Sequence, residues 1–361
     1  MSILKLFTKR ESLLSLDIGA TGIKLLEFDM TQAQPTLLNL GVAPLGADVF
    51  SGNSIAKVEH VAEQISGLLE ANGISGKRVV TAVPAPSVIT KRITMPHQSL
   101  GDLSSSIQFE AANFIPHNID AVRLDFHILG ETPHGQLDVL VVAVKNEVIE
   151  SYLECLSLAG LEAAVVDVDY FAIQNMFETV LPEYREKTVA LLNIGARYST
   201  INVCCGGASL FTADVPVGGR TFTEGLMEEM GISEVEAENL KKDASAGLDT
   251  PAEVLELLDQ KLDFVVTEIH RQLGFFWSAS AGDESIERIF VSGGGALVPG
   301  ILEEIREKTG TEAERIDTFR GINRASALDA QLVQELAPVM GVCVGLGMRS
   351  AGDRDLSAFE G

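Results

Sequence analysis

The chain has 361 residues, 46% hydrophobic and 22% charged, with a net charge of −24 and a pI near 4.6. That supplies enough apolar material for at least two cores. It also disfavours a surface that binds nucleic acid or anionic lipid directly. No run reaches the roughly 20 apolar residues that span a bilayer, and the mixed opening Met1–Glu11 does not read as a secretory signal. Cys155, Cys204, Cys205 and Cys343 lack C-x-x-C spacing, which predicts free thiols in a reducing cytoplasm.

In chain order, Ser12–Asp17 and Gly22–Phe28 are strand patterns flanking a glycine turn. The turn Asp17-Ile18-Gly19-Ala20-Thr21-Gly22-Ile23-Lys24 therefore sits in a hairpin, unlike the strand-to-helix loop of a Walker motif. Thr36–Pro44 reads as a third strand, Ile55–Asn72 as a helix and Lys77–Pro84 as a strand. From about residue 86 the texture changes. An alternating strand Ile89–Met95 precedes a helix Leu100–Phe114 that stops at Ile115-Pro116. Strands Val122–Leu129 and Leu137–Val144, helix Glu147–Ala159 and strand Ala163–Val168 follow, an order that predicts an inserted α+β domain.

After a helix at Tyr170–Val180 the opening grammar returns. Val189–Asn193 and Ser199–Cys204 flank a second turn, Asn193-Ile194-Gly195-Ala196-Arg197-Tyr198-Ser199-Thr200, and Ala208–Pro216 is the next strand. Helices are expected at Phe222–Met230, Ser233–Lys242 and Ala252–Phe276. A short strand, Ile289–Val291, enters Gly293-Gly294-Gly295, followed by helices Pro299–Thr309 and Gln334–Met348. The chain reads as one β-hairpin unit used twice, with insertions in both copies.

Tight turns with free backbone N–H groups and hydroxyls suit phosphate. Two of them suggest a nucleotide gripped between similar lobes. In the first, Gly19, Ala20, Thr21 and Gly22 offer backbone donors, Lys24 a point charge, and Asp17 a contact to the hydration shell of a metal. An ordinary glycine hairpin is the competing reading. In the second, Gly195, Ala196, Ser199 and Thr200 form the opposing clamp. Asn193 keeps a carboxylate's hydrogen bonds without its charge, and Arg197 is placed to meet a phosphate. Gly293, Gly294, Gly295 and Ala296 would let the backbone lie against a purine and ribose, with a bulge as the alternative.

Glu238 and Lys241, at i, i+3 on one helical face, are candidates for ribose and adenine contacts. As an exposed ion pair they would be worth only about 0.2–0.5 kcal/mol. Phe109, Phe114 and Ile115 make an apolar edge at a helix end, either a partner groove or a core stripe. No Ser-His-Asp, Cys-His or paired-acid constellation emerges from the sequence.

Asp17–Lys24, Asn193–Thr200 and Val291–Gly300 follow the order of the two phosphate loops and the adenosine motif of the actin/Hsp70/sugar-kinase ATPase superfamily, which the chain resembles. Within it the chain is most similar to the PilM family, cytoplasmic actin-like proteins of type IV pilus assembly. Ser15-Leu16-Asp17-Ile18-Gly19, Phe109–Pro116 with Leu124–Gly130, and Val165-Val166-Asp167-Val168-Asp169 carry that likeness, together with Ala237-Glu238, Lys241 and Gly341…Gly345-Leu346-Gly347.

The resemblance implies an α/β actin-like ATPase fold, two related lobes flanking a nucleotide cleft, with an FtsA-like 1C insertion. Subdomain 1A would comprise 1–85, 165–186 and part of the C-terminal helix. Subdomain 1C would be 86–164, 2A would be 187–220 plus 286–361, and 2B would be 221–285. It also implies ATP or ADP in the cleft with Mg²⁺, which Asp17 reaches through water. The implied partner is the cytoplasmic N-terminal tail of a PilN-like inner-membrane protein, held between 1A and 1C, alongside other pilus components. That partner would recruit a cytoplasmic chain to the inner membrane without direct insertion or nucleic-acid contact. Asn193 stands where superfamily members usually carry aspartate, so turnover is expected to be weak or absent, with Asp169 the candidate to orient attacking water. A small-molecule kinase of the same superfamily stays open as an alternative. So does an FtsA-like filament former, although Arg349–Gly361 lacks the basic amphipathic face of such proteins.

Overall fold

The computed structural model describes residues 13–116, 118–279 and 285–350. The expectations for Met1–Glu11 and for the chain end beyond Ser350 lie outside the described residues. Leu14–Gly19 (β1), Gly22–Asp29 (β2) and Thr36–Pro44 (β3) form an antiparallel meander, with Asp17 opposite Lys24 and Gly19 opposite Gly22. β1 and β2 read as nearly continuous apolar runs because both faces of their sheet are covered. A short hairpin, Phe50–Ser51 (β4) and Ser54–Ile55 (β5), leads to helix Val58–Ala71 (α1) and then to Arg78–Val83 (β6), parallel to β1.

The insertion is a three-stranded antiparallel sheet of Val88–Met95 (β7), Val122–Glu131 (β8) and Leu137–Lys145 (β9), with β9 central, plus helix Leu100–Ala111 (α2). Helix Asn146–Leu158 (α3) and strand Glu162–Val168 (β10) then return to the first lobe. Val148, Tyr152 and Cys155 are buried in its core, and β10 runs parallel to β6. α3 and the start of β10 fall inside the span 86–164 that the resemblance implies for subdomain 1C. By packing, the inserted unit is the narrower stretch from β7 to β9.

Helix Asp169–Val180 (α4) crosses to the second lobe. There Val189–Ile194 (β11), Ser199–Cys205 (β12) and Ala208–Val215 (β13) repeat the meander. Helices Gly219–Met230 (α5), Glu234–Ser245 (α6) and Ala252–Ala279 (α7) precede Arg288–Ser292 (β14), parallel to β11. Helix Ile301–Thr309 (α8) then leads to Ala313–Arg315 (β15), parallel to β14. The two sheets run β3-β2-β1-β6-β10 and β13-β12-β11-β14-β15, with matching strand directions. The repeat expected from two glycine turns is therefore a repeat of whole-sheet topology, in which α3 and α8 occupy equivalent positions.

A strand that sequence did not anticipate, Asn323–Arg324 (β16), extends the first sheet beside β3. The expected single closing helix Gln334–Met348 is instead two helices, Ala330–Leu336 (α9) and Gly341–Gly347 (α10), joined by a tight turn at Ala337–Val339 and bent by 100°. Pro338 cannot donate to the turn before it and stops the first helix. α10 then lies against α4 between the sheets, in a core that takes Phe28 and Val80 from one lobe and Leu191 and Phe290 from the other. A Cβ on Gly345 would sit 1.7 Å from the Ala172 carbonyl oxygen, so the two helices touch backbone to backbone.

Candidate functional site

The parallel strands β1, β6 and β10 end level, since Leu16 lies opposite Thr81 and Thr81 opposite Val166. Three residues past that register, the first glycine turn and Asp169, the first residue of α4, share one edge of the sheet. Lys24 donates to the Asp17 carboxylate at 2.7 Å, so this lysine is tied to the aspartate beside it. Asp169 is 6% exposed. One of its oxygens, Oδ2, accepts from the Tyr198 hydroxyl at 2.9 Å. The other, Oδ1, meets no partner at hydrogen-bonding geometry. Burial pushes its pKa up to about 7, against the opposing pull of the Tyr198 hydrogen bond and the Ala85 and Tyr170 N–H groups. Beneath lies Tyr152 of α3, its hydroxyl pKa raised by burial and by the charges of Asp17 and Asp169.

On the second lobe, the Gly195 N–H closes its turn on the Tyr198 carbonyl at 3.1 Å. The carbonyls of Gly195 and Ala196 accept from the N–H groups of Gly219 and Arg220, each at 2.8 Å, which straps the turn to the first residues of α5. Ser199 and Thr200, expected as phosphate contacts, are buried in β12, and the Ser199 hydroxyl donates to the Val217 carbonyl at 2.7 Å. The Asn193 carboxamide oxygen accepts from the Ser292 hydroxyl at 3.3 Å.

Next to it, Gly293 has φ of 90°, and a Cβ there would meet the Ile194 carbonyl oxygen at 2.4 Å. A Cβ on Gly295 would strike the Ile194 side chain at 2.2 Å. Close packing of this turn on the second glycine turn thus requires two of the three glycines. Gly294 is exposed, with only Val339 within contact range of an added Cβ. Ala296 is buried behind them, and its carbonyl accepts from the Arg315 guanidinium at 2.8 Å.

Glu238 and Lys241 do more than decorate a surface. Lys241, its side chain 12% exposed, donates to the Gly219 carbonyl at 3.0 Å, to the Thr223 hydroxyl at 2.9 Å and to Glu238 at 2.6 Å. It ties α6 to the first turn of α5, beside the glycine turn that α5 supports.

Two contacts cross between the lobes here. Tyr198 reaches Asp169, and the Arg197 guanidinium stands 5.9 Å from the centre of the Phe50 ring. The second glycine turn thus meets the first lobe at α4 and at the β4–β5 hairpin, on the side where the first turn lies. Sequence reasoning passed over Tyr198, Tyr152 and Gly219. Tyr198 lies inside the recognised turn, where Asn193, Arg197 and the short hydroxyl side chains carry the sequence reading.

The three residues expected in a partner groove are separated. Ile115 is 5% exposed and Phe114 half-buried, both within the insertion's core. Phe109 is 76% exposed and lines a cavity of about 640 Å³ between β7 and α2. A different cavity, of about 290 Å³, lies between the β4–β5 hairpin and the insertion, lined by Asn53, Ser54, Val88, Ile89, Val122 and Lys145 among others. Ile115 packs in the cluster that backs this second cavity, beside Ile89 and Val122.

A family model described as type IV pilus assembly protein PilM matches residues 15–351. The chain belongs to the PilM family. A solved PilM-PilN type IV pilus biogenesis complex is similar over 94% of this chain and 98% of that one, at 26% identity and a TM-score of 0.85. The ethanolamine utilization protein EutJ from Carboxydothermus hydrogenoformans shares the fold at 15% identity and a TM-score of 0.59, over 94% of this chain and 89% of that one. MreB5 of Spiroplasma citri, solved bound to ADP, does so at 12% identity and 0.54, over 93% and 95%. The PilM family is thus set on an actin-like scaffold, and the two-lobed α/β fold expected from the loops is the observed one. Among the described residues no single helix is long and apolar enough to cross a membrane. The one bent pair that passes by length and composition contains α10, which is buried.

Proposed function

We propose that the chain is a cytoplasmic actin-like scaffold of type IV pilus assembly that binds ATP or ADP with Mg²⁺ between its lobes. It holds the N-terminal tail of a PilN-like inner-membrane protein and turns ATP over slowly or not at all. The observation that carries the nucleotide reading is that the second of two topologically equivalent glycine hairpins contacts the first lobe, through Tyr198, at Asp169, on the sheet edge that carries the first.

The residues present fit such a ligand. Asp169 leaves a buried carboxylate oxygen without a partner at the cleft. The turns at Gly19–Gly22 and Ala196–Arg197 would offer the ligand backbone N–H groups, and exposed Gly294 leaves room for a flat group. Glu238 would meet the sugar beside the start of α5, with Lys241, whose donors are taken, holding Glu238 there. Among the described residues no group of three or more His, Cys, Asp or Glu side chains could hold a metal alone. Mg²⁺ would enter with the phosphates, whose charge it would offset, and Asp17 would reach it through water while paired with Lys24.

The tail fits the cavity between the β4–β5 hairpin and the insertion better than the Phe109 edge, because that cavity is bounded by both subdomains of the expected groove. Phe109 stays a candidate contact outside it.

Calorimetry tests both halves. Magnesium-ATP should give saturable heat at one site, and a synthetic PilN-like tail should bind the loaded chain. Asn53→Arg, which fills the cavity from its hairpin side, should abolish tail binding while ATP binding and melting temperature stay unchanged. Absence of heat with magnesium-ATP would falsify the nucleotide reading.

A further inference from the structure

We propose that Tyr198 is a positioning residue that keeps ATP turnover low: it reaches across the cleft and holds Asp169 by a hydrogen bond, so that this carboxylate does not act as a base. The inference rests on the nucleotide reading above and adds its regulation.

The placement is specific. Asp169 opens α4 at the sheet edge that carries the first glycine turn, and Tyr198 comes from the second. The bond at 2.9 Å occupies Oδ2, and the Ala85 and Tyr170 backbone N–H groups also favour the ionised, less basic form of the same carboxylate. Asp17, the other carboxylate in this neighbourhood, is already engaged by Lys24 at 2.7 Å. Neither acid is left with both oxygens at liberty. Tyr198 cannot take over the task, because burial and the neighbouring Asp169 keep its hydroxyl protonated at any ordinary pH.

A buried carboxyl that titrates near neutrality is otherwise well suited to accept a proton. Hydrolysis needs one such acceptor. The water oxygen bonds to the γ-phosphorus and its proton passes to the carboxylate. The bond to the ADP oxygen breaks and that oxygen keeps the electron pair, giving ADP and inorganic phosphate. A hydrogen bond to Oδ2 withdraws basicity from the carboxylate and fixes its orientation, and both effects oppose this transfer. The same bond clasps the second-lobe turn to the first lobe, so releasing the acid and loosening the turn are one event.

The test uses the full chain at pH 8.5, where the Asp169 carboxyl is ionised, with turnover and calorimetric affinity for magnesium-ATP measured together. Tyr198→Phe keeps the ring and removes the donor. It should raise turnover by about tenfold or more while the Kd changes by less than about threefold. Tyr198→Phe/Asp169→Asn should fall back to the wild-type rate, a reversal that a merely loosened structure would not show. Unchanged turnover in a Tyr198→Phe protein that still binds ATP overturns the inference alone, as does a gain that survives in the double variant. Failure of the wild-type chain to bind ATP removes the nucleotide reading and this inference with it. Tyr198→Leu carries the same comparison if the phenylalanine variant does not fold.

Discussion

Asp169 shows what burial does to one side chain. In an unfolded chain its carboxyl ionises near 3.9, but in the fold it ionises only near 7, because desolvation outweighs the hydrogen bond from Tyr198. Between those values the unfolded state has given up a proton that the native state keeps. Stability contributed by this group is therefore complete below pH 4, is lost as pH rises, and is gone above pH 7. The span corresponds to about 4 kcal/mol at most. Asp169→Asn still accepts from Tyr198 and has nothing to titrate. Denaturation midpoints of the wild-type chain should fall between pH 4 and pH 7, whereas this contribution is absent from Asp169→Asn. Parallel curves would show that Asp169 is solvated in the native state.

Between elements, the tightest constraint is the α4–α10 contact. Glycine at 341 and 345 lets α10 reach the α4 backbone, and the bend at Pro338 brings α10 there. Gly345→Val puts a branched side chain where even a methyl group overlaps the Ala172 carbonyl. It should cost about 3 kcal/mol or more, or leave the chain insoluble. Gly67 is the control. It lies in α1, exposed, with nothing within 4 Å of an added Cβ. Gly67→Ala should raise stability by about 0.5–1 kcal/mol, since only the unfolded chain loses freedom. Urea denaturation of the two variants separates a packing glycine from a tolerated one.

For the whole molecule, charge is the dominant fact. A net charge of −24 repels a free nucleoside triphosphate, and the glycine turns must overcome that field locally. Mg²⁺ cuts the ligand's charge before it enters. Binding of ATP in EDTA should therefore be weaker than binding of magnesium-ATP by about tenfold or more, with the gap narrowing as salt screens the field. Equal affinities in calorimetry would mean that no metal accompanies the phosphates. On the proposed reading the same field would favour a tail of basic rather than acidic charge. The hydroxyls of Thr90 on β7 and Thr212 on β13 lie 3.0 Å apart, so the insertion touches the second lobe as well as the first.

Much of this was legible in the chain itself. The two hairpins, their glycine turns and the doubled unit depend on neighbours in sequence: apolar runs broken by residues that permit a tight turn. The inserted sheet was visible for the same reason, as a change from buried runs to alternation. Periodicity says which face of a segment is apolar but not what that face meets. Only the tertiary structure decided that α3 belongs to the first lobe and that Phe114 and Ile115 are core. The reason for Gly293 and Gly295 was likewise hidden, because Ile194, the residue they must clear, is about a hundred positions away along the chain. The Tyr198–Asp169 bond lies beyond sequence reasoning on the same ground, since it exists only once the second glycine turn packs against the start of α4.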